Sequence, residues 1–345
     1  MPPNVISRYQ PTFRKDEIDL IIRFALRGES LSLMGIAGVG KSNIVNFLRD
    51  LSHNAPQAEQ EITQLFFPIV DTPQWQGTPN SLWKMMVEAL DQATKELSSP
   101  PGDNKVIPFA KDERTFNALQ ERLQWLCQER HRQVMFVLDD FDPVFEAGPL
   151  SMLERLNGLR SGGLRGCLSY LIFSKKLPHV LGRKHDLEKN SKFYDLFRHN
   201  IYALTPYIQD DAIRMLQHLN EVANSPLTES QLKEIYQLAG GHARLLRLVF
   251  NIWIEEGASG IKTTYFANKP DIQQECQRIL THLHTGEREV ALRLGREEQK
   301  AEDEAVIDHL VRRGLLMQSN PLTWFSPLFY QCLRTYGGSV DSNLS

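Results

Sequence analysis

The sequence predicts an α/β protein: a parallel sheet flanked by helices, followed by a run of helices and a small C-terminal unit. Three observations predict it. Leu31-Ser32-Leu33-Met34 is a short, mostly apolar run that passes through Gly35-Ile36-Ala37-Gly38-Val39-Gly40-Lys41-Ser42 into a helically spaced set, Ile44, Val45, Phe47, Leu48 and Leu51. The runs Val134-Met135-Phe136-Val137-Leu138 and Leu168-Ser169-Tyr170-Leu171-Ile172-Phe173 read as buried strands. From residue 207 the strand signals give way to helical spacing, until a strand–turn–strand pattern over 314–325.

The stretch 35–42 fits the pattern G-x-x-x-x-G-K-[ST], and each part has a chemical purpose. The glycines let backbone N–H groups turn inward around phosphate oxygens. Lys41 reaches the β- and γ-phosphates, and the Ser42 hydroxyl offers a ligand to Mg²⁺. The loop opens a helix, whose N-terminal dipole favours anions. Gly35, Ile36, Ala37, Gly38, Val39, Gly40, Lys41, Ser42 and the following Asn43 are therefore the expected phosphate-binding residues.

The bulk numbers bound the rest. A chain of 345 residues is too long for one ordinary core, and two or three domains of roughly 100–200 residues are expected. Hydrophobic content of 41% and charged content of 23% suit a globular chain. A net charge of −3 argues against a protein coated in nucleic acid, although a local basic patch is compatible with it. No apolar run is long enough to span a membrane, and Met1-Pro2-Pro3-Asn4 does not begin a signal peptide. Cys127, Cys167, Cys276 and Cys332 have neither metal-ligand nor disulfide-framework spacing, so free thiols in a reducing cytoplasm are expected.

In chain order, Phe13 to Leu26 has the apolar spacing of a helix, which either packs or offers apolar contacts to a purine ring. Residues 65–71 read as a strand that Pro68 confines to a sheet edge. Helical spacing follows over 81–97 and 113–130, separated by a surface loop at 98–104. The strand 134–138 ends in Asp139-Asp140, two acids at a carboxyl edge, where α/β sheets bind ligands. Beside a phosphate loop, Asp139 would hold Mg²⁺ and Asp140 would orient or deprotonate the attacking water. Asp142 is expected in the turn that follows. A helix over 150–159 leads to the strand 168–174, whose end Ser174-Lys175 either touches the γ-phosphate or attacking water or is plain strand termination. The window 175–200 carries seven Lys or Arg against three acids and is the most basic in the chain; it reads either as a solvated face or, through Arg183 and Arg198, as a contact to a neighbouring subunit's nucleotide or to a nucleic-acid backbone. Residues 200–204 read as a last strand, with helices over 210–220, 229–239 and 245–256. Arg244 lies in a helix's first turn, against the dipole; it is either a surface arginine or one that faces bound phosphate. Short helices over 272–282, 286–294 and 302–314 precede the hairpin pattern, and the combination suggests a winged helix.

The order of these parts resembles the AAA+/STAND group of ATPases, including its origin-recognition branch, over roughly residues 10–336. The loop at 35–42 and the acidic strand at 134–140 carry the resemblance. Phe13-Arg14-Lys15-Asp16-Glu17 resembles that group's nucleotide-base motif without its Gly. Ser174-Lys175 stands at the first sensor position, where Asn, Thr or Arg is commoner. Leu204-Thr205-Pro206 resembles the motif leading into the lid, whose Pro lies near the adenine, and Gly241-His242-Ala243-Arg244 resembles the second sensor, matching its arginine. Ser326-Pro327-Leu328-Phe329 lacks the histidine that some STAND proteins place in the winged helix.

The resemblance implies a P-loop ATPase core over 1–205, a helical lid over 206–262, a winged helix over 263–336 and a flexible tail over 337–345. It also implies ATP and Mg²⁺ as cofactors; Lys41, Asp140 and Ser174 as catalytic residues; Ser42 and Asp139 as metal ligands; and Pro206 and Arg244 as additional nucleotide contacts. The expected function is a cytoplasmic, slowly hydrolysing switch that couples ATP or ADP to homo-oligomerisation or to a protein partner. The alternatives are a DNA-associated ATPase of replication-initiator or transposition-regulator type, and a nucleotide-binding scaffold that does not hydrolyse.

Overall fold

The computed structural model describes residues 12–54, 64–95, 97, 111–223, 225–257, 263–319 and 321–339. The loop expected at 98–104 and the end of the tail, 340–345, lie outside the described residues. The described chain divides into two compact units. One holds Lys15–Met34 and Ser42–Tyr202; the other holds Arg14, Gly35–Lys41 and the chain from Ala203 onward.

The first unit is built on the parallel sheet. Its elements are α1 (Lys15–Leu26), β1 (Leu31–Met34), α2 (Lys41–Asn54), β2 (Leu65–Phe66), β3 (Ile69–Asp71), α3 (Pro79–Ala93), α4 (Lys111–Gln124), β4 (Gln133–Asp139), α5 (Asp142–Ala147), α6 (Leu150–Leu159) and β5 (Leu168–Ser174). Three short helices, α7 (Pro178–Leu181), α8 (Leu187–Asn190) and α9 (Lys192–Asp195), lead to β6 (Ile201–Ala203). The strand order is β2-β4-β5-β1-β6, with β3 also on β4. Every residue of β5 is buried, which is why its sequence is apolar without alternation. The core between sheet and helices is aromatic: Trp83, Phe136, Phe141, Phe145, Tyr170, Phe193 and Phe197 are almost wholly buried. The expected strand 65–71 is two strands, because Pro68 cannot donate to a ladder; its carbonyl still accepts from Val137 N–H at 2.9 Å.

Register brings the chemistry to one edge. Ser32 and Leu138 both pair with Ile172, and Met34 pairs with Ser174. The parallel strands β1, β4 and β5 therefore run out on the same side of the sheet, and Asp139, Asp140, Ser174 and Lys175 cluster at their ends. Asp142 departs from expectation. It is the first residue of α5 and buried, because its carboxylate accepts the Lys175 N–H through both oxygens, at 3.1 and 3.2 Å.

The second unit is helical: α10 (Gln209–Glu221), α11 (Glu229–Ala239), α12 (Ala243–Glu256), α13 (Thr263–Ala267), α14 (Pro270–Thr281), α15 (Thr285–Gly295) and α16 (Glu304–Arg312). The antiparallel pair β7 (Leu316–Met317) and β8 (Thr323–Trp324) follows, and α17 runs from Pro327 to Ser339, past the expected start of the tail. Helix α11 starts where the sequence dictates, at a capping box of Thr228 and Gln231, and stops at Gly240 in the left-handed region. Leu245, Leu246, Val249, Phe250 and Trp253 form the buried stripe of α12.

Candidate functional site

The loop between β1 and α2 has the backbone that phosphate binding requires. Gly38 and Gly40 have φ of +76° and +107°, where side chains are strained. Neither site has room for one. A Cβ on Gly38 would lie 2.4 Å from Glu275 Oε1, and one on Gly40 would lie 2.6 Å from the Tyr207 hydroxyl. Lys41 is buried, and its ammonium donates to Gly35 O at 2.8 Å. Ser42 is exposed at the first turn of α2.

Three successive carbonyls of this loop are fastened from within the same unit. His242 Nε2 meets Ala37 O at 2.8 Å, Arg244 N–H donates to Gly38 O at 3.1 Å, and Arg14 Nη2 donates to Val39 O at 3.1 Å. A trans peptide holds its C=O and N–H on opposite sides. Fixing these carbonyls therefore turns the N–H groups of Gly38, Val39 and Gly40 the other way. The Val39 N–H also meets Ile36 O at 3.4 Å.

The anchors are themselves held. Arg14 is buried, donates a further bond to Thr205 O at 2.9 Å, and lies over the Tyr207 ring at 4.4 Å. The Arg14 N–H donates to Asp211 Oδ2, and the Tyr207 N–H to Gly241 O at 2.9 Å. Pro206 is buried, with its ring against Gly314. Arg244 is more than half exposed, and its Nε lies 3.2 Å from Glu275 Oε2. Arg278 Nε meets the same oxygen at 3.0 Å. Glu275 is buried, and burial raises its carboxyl against the pull of Arg278 and Arg244. His242 is fully buried. Burial pushes its imidazole down to about 4, and the charges of Arg278, Lys41 and Arg244 add to the effect, against the bond to Ala37.

In the sheet unit, the ends of β4 and β5 form an acidic edge. Asp139 and Asp140 are half-buried. The buried Thr72 hydroxyl spans their carbonyls, at 2.7 and 2.8 Å. Asp140 has φ of +53°, which turns its carboxylate to Lys175, whose ammonium lies 2.7 Å from Oδ2. Ser174 is fully buried, and its hydroxyl has no hydrogen-bond partner among the described residues. Arg183 and Arg198 are exposed; Arg198 is paired locally with Asp195 at 2.8 Å.

Residues 26–181 match the AAA domain family. This AAA segment contains the loop, the acidic edge and β5. No curated protein matches the chain in sequence. Solved structures share the fold across nearly the whole chain. A Walker-type ATPase of Pyrococcus abyssi aligns with a TM-score of 0.56 at 15% identity, over 93% of this chain and 96% of that one. The ORC2 protein of Aeropyrum pernix, solved in ADPNP–ADP complexes, aligns with a TM-score of 0.53 at 13% identity, over 99% of this chain and 96% of that one. The fold outside the AAA segment, from α10 to α17, is thus shared as well.

The structure brings together Gly35 to Lys41, Arg244 and Pro206 in one unit, and Ser42, Asn43, Asp139, Asp140 and Ser174 in the other. The sequence did not mark Tyr207 and Glu275, nor His242 and Arg14 as clamps on the loop. His242 is an N-cap, and that position selects for Ser, Thr, Asp or Asn, so no cap signal points to it.

Proposed function

We propose that this chain binds ATP with Mg²⁺ on the loop 35–42, hydrolyses it slowly, and uses the difference between ATP and ADP to move α10–α12 and so to change its assembly or partner. The observation that carries this reading is the fastening of Ala37 by His242 and of Gly38 by Arg244, which ties the phosphate-binding loop to the start of α12. Amides aimed by those bonds cradle phosphate. Lys41 leaves Gly35 O for phosphate oxygens, a stronger, charge-assisted partner.

The donors suit the metal. The Ser42 hydroxyl and Asp139 carboxylate are hard oxygens, and Mg²⁺ is commonly held by one or two carboxylates plus substrate phosphates. Among the described residues, no group of three or more His, Cys, Asp or Glu gathers to hold a metal alone, so phosphate would have to complete the set. The ion would neutralise charge developing on the phosphates. Asp140 orients or deprotonates the attacking water, once freed from Lys175, with the Ser174 hydroxyl beside it. Arg244 reports the γ-phosphate by exchanging Glu275 for it. The module α13–α17 with the hairpin β7–β8 is read as a winged helix that transmits the state, in the manner of a STAND-type switch. The chain is read as cytoplasmic; no described helix is long and apolar enough to cross a membrane.

Calorimetric titration of ATP analogue and ADP into wild type and Lys41→Ala tests the reading. The variant loses binding; undiminished affinity would refute the site. Sizing with ADP, with a non-hydrolysable ATP analogue and with added DNA then separates a nucleotide-driven assembly from a DNA-bound one.

A further inference from the structure

We propose that His242 is a positioning residue for the phosphate-binding loop: one neutral imidazole sets the Ala37–Gly38 peptide and caps α12, so the amide that faces phosphate and the helix that carries Arg244 move together. The proposal rests on the nucleotide reading above and assigns His242 its part in it.

The hydrogen bonds fix the tautomer. Leu245 N–H donates to Nδ1 at 3.3 Å, so Nδ1 carries no proton. Nε2 therefore bears the hydrogen and donates it to Ala37 O, 2.8 Å away. Both ring nitrogens are used, and the ring is fully buried. Only the neutral imidazole satisfies both partners, because a charged one has no acceptor to offer α12. The fit is also steric: a Cβ on Gly38 would lie 2.6 Å from the His242 ring.

Consequences follow from the peptide plane. Ala37 O and Gly38 N–H belong to one rigid group. A phosphate that rotates this amide toward itself swings the carbonyl against the imidazole, and the imidazole is bound to the third residue of α12. Arg244, the second residue of that helix, is bound to Gly38 O through its own N–H. The loop and the helix start thus share two adjacent bonds.

Two substitutions split the two bonds. An Asn side chain places its oxygen where Nδ1 sits, which keeps the cap and loses the loop. A Gln side chain places its NH₂ near Nε2, which keeps the loop and loses the cap. We would titrate ADP and measure thermal melting for wild type, His242→Asn, His242→Gln and His242→Ala. The expected order of affinity is wild type and Gln together, with Asn and Ala weaker by roughly five- to tenfold, the scale of one lost hydrogen bond. The expected order of melting temperature places Asn above Gln. Affinities that follow the melting temperatures, with Asn tighter than Gln, overturn the positioning role and leave a helix cap. A wild type that binds no adenine nucleotide removes the nucleotide reading itself, and this proposal with it.

Discussion

The Lys175 ammonium lies 2.7 Å from Oδ2 of Asp140, while the Lys175 backbone N–H is bound to both oxygens of Asp142. One residue thus engages two acids at the end of β4. An oxygen held by an ammonium does not accept a proton from water at the same time. Lys175→Ala is expected to raise single-turnover hydrolysis with little change in ADP affinity. Asp140→Asn is expected to lower hydrolysis by about 10²–10⁴, the usual worth of a general base. Slower hydrolysis in Lys175→Ala would instead make Lys175 a direct contact of the phosphate.

Gly40→Ala tests the loop. Its Cβ would meet the Tyr207 hydroxyl at 2.6 Å and sit at φ of +107°. Strain of this kind costs on the order of 1–3 kcal/mol. Nucleotide affinity is expected to fall tenfold or more, read by calorimetry. Gly158→Ala, in α6 with open space around it, is the control and should leave affinity unchanged.

Acid should loosen the loop-bearing unit through His242. Its imidazole sits at about 4 in the fold against an ordinary 6.5. Between those values the unfolded chain takes up a proton that the fold excludes, so stability falls as pH drops from 6.5 toward 4. The full effect approaches roughly 3 kcal/mol. Glu275, raised by burial, acts in the opposite sense, because the fold binds its proton more tightly. Urea unfolding at pH 7.5, 6 and 5 should show a steeper loss for wild type than for His242→Gln, in which Glu275 still titrates. Equal slopes would assign the acid response elsewhere.

A second buried cluster predicts a lower window. Glu287 and Arg313 are both buried and paired at 2.5 Å, with His309 Nδ1 at 2.8 Å from the carboxylate. Burial alone would raise the Glu287 carboxyl, but His309, Arg313 and the His284 N–H hold it at about 2 against an ordinary 4.5. The stability it contributes is present above 4.5 and lost as pH falls toward 2. Glu287→Ala removes the carboxylate that faces the buried Arg313 and should cost about 3–5 kcal/mol at neutral pH, measured by denaturant unfolding. A cost under about 1 kcal/mol would show that Arg313 finds another partner.

Some of this was legible in the chain alone. The loop 35–42 could be read because its pattern is local: two glycines, a lysine and a serine stand at fixed spacing within eight residues. The fully buried β5 showed as an apolar run, and α11 showed as helical spacing over 229–239. The break at Pro68 was visible as a constraint, but which neighbour would hold each half was not.

Sequence by itself determined where a glycine-rich loop between strand and helix and a strand ending in two acids stand, because short-range sterics and apolar periodicity act over a few residues. The tertiary structure alone decided what fastens that loop. His242 reaches Ala37 across 205 residues, and Arg14 reaches Thr205 across 191. Such bonds leave no periodic trace. They form because burial removes water as a competing partner, and only the fold says which polar groups are buried together.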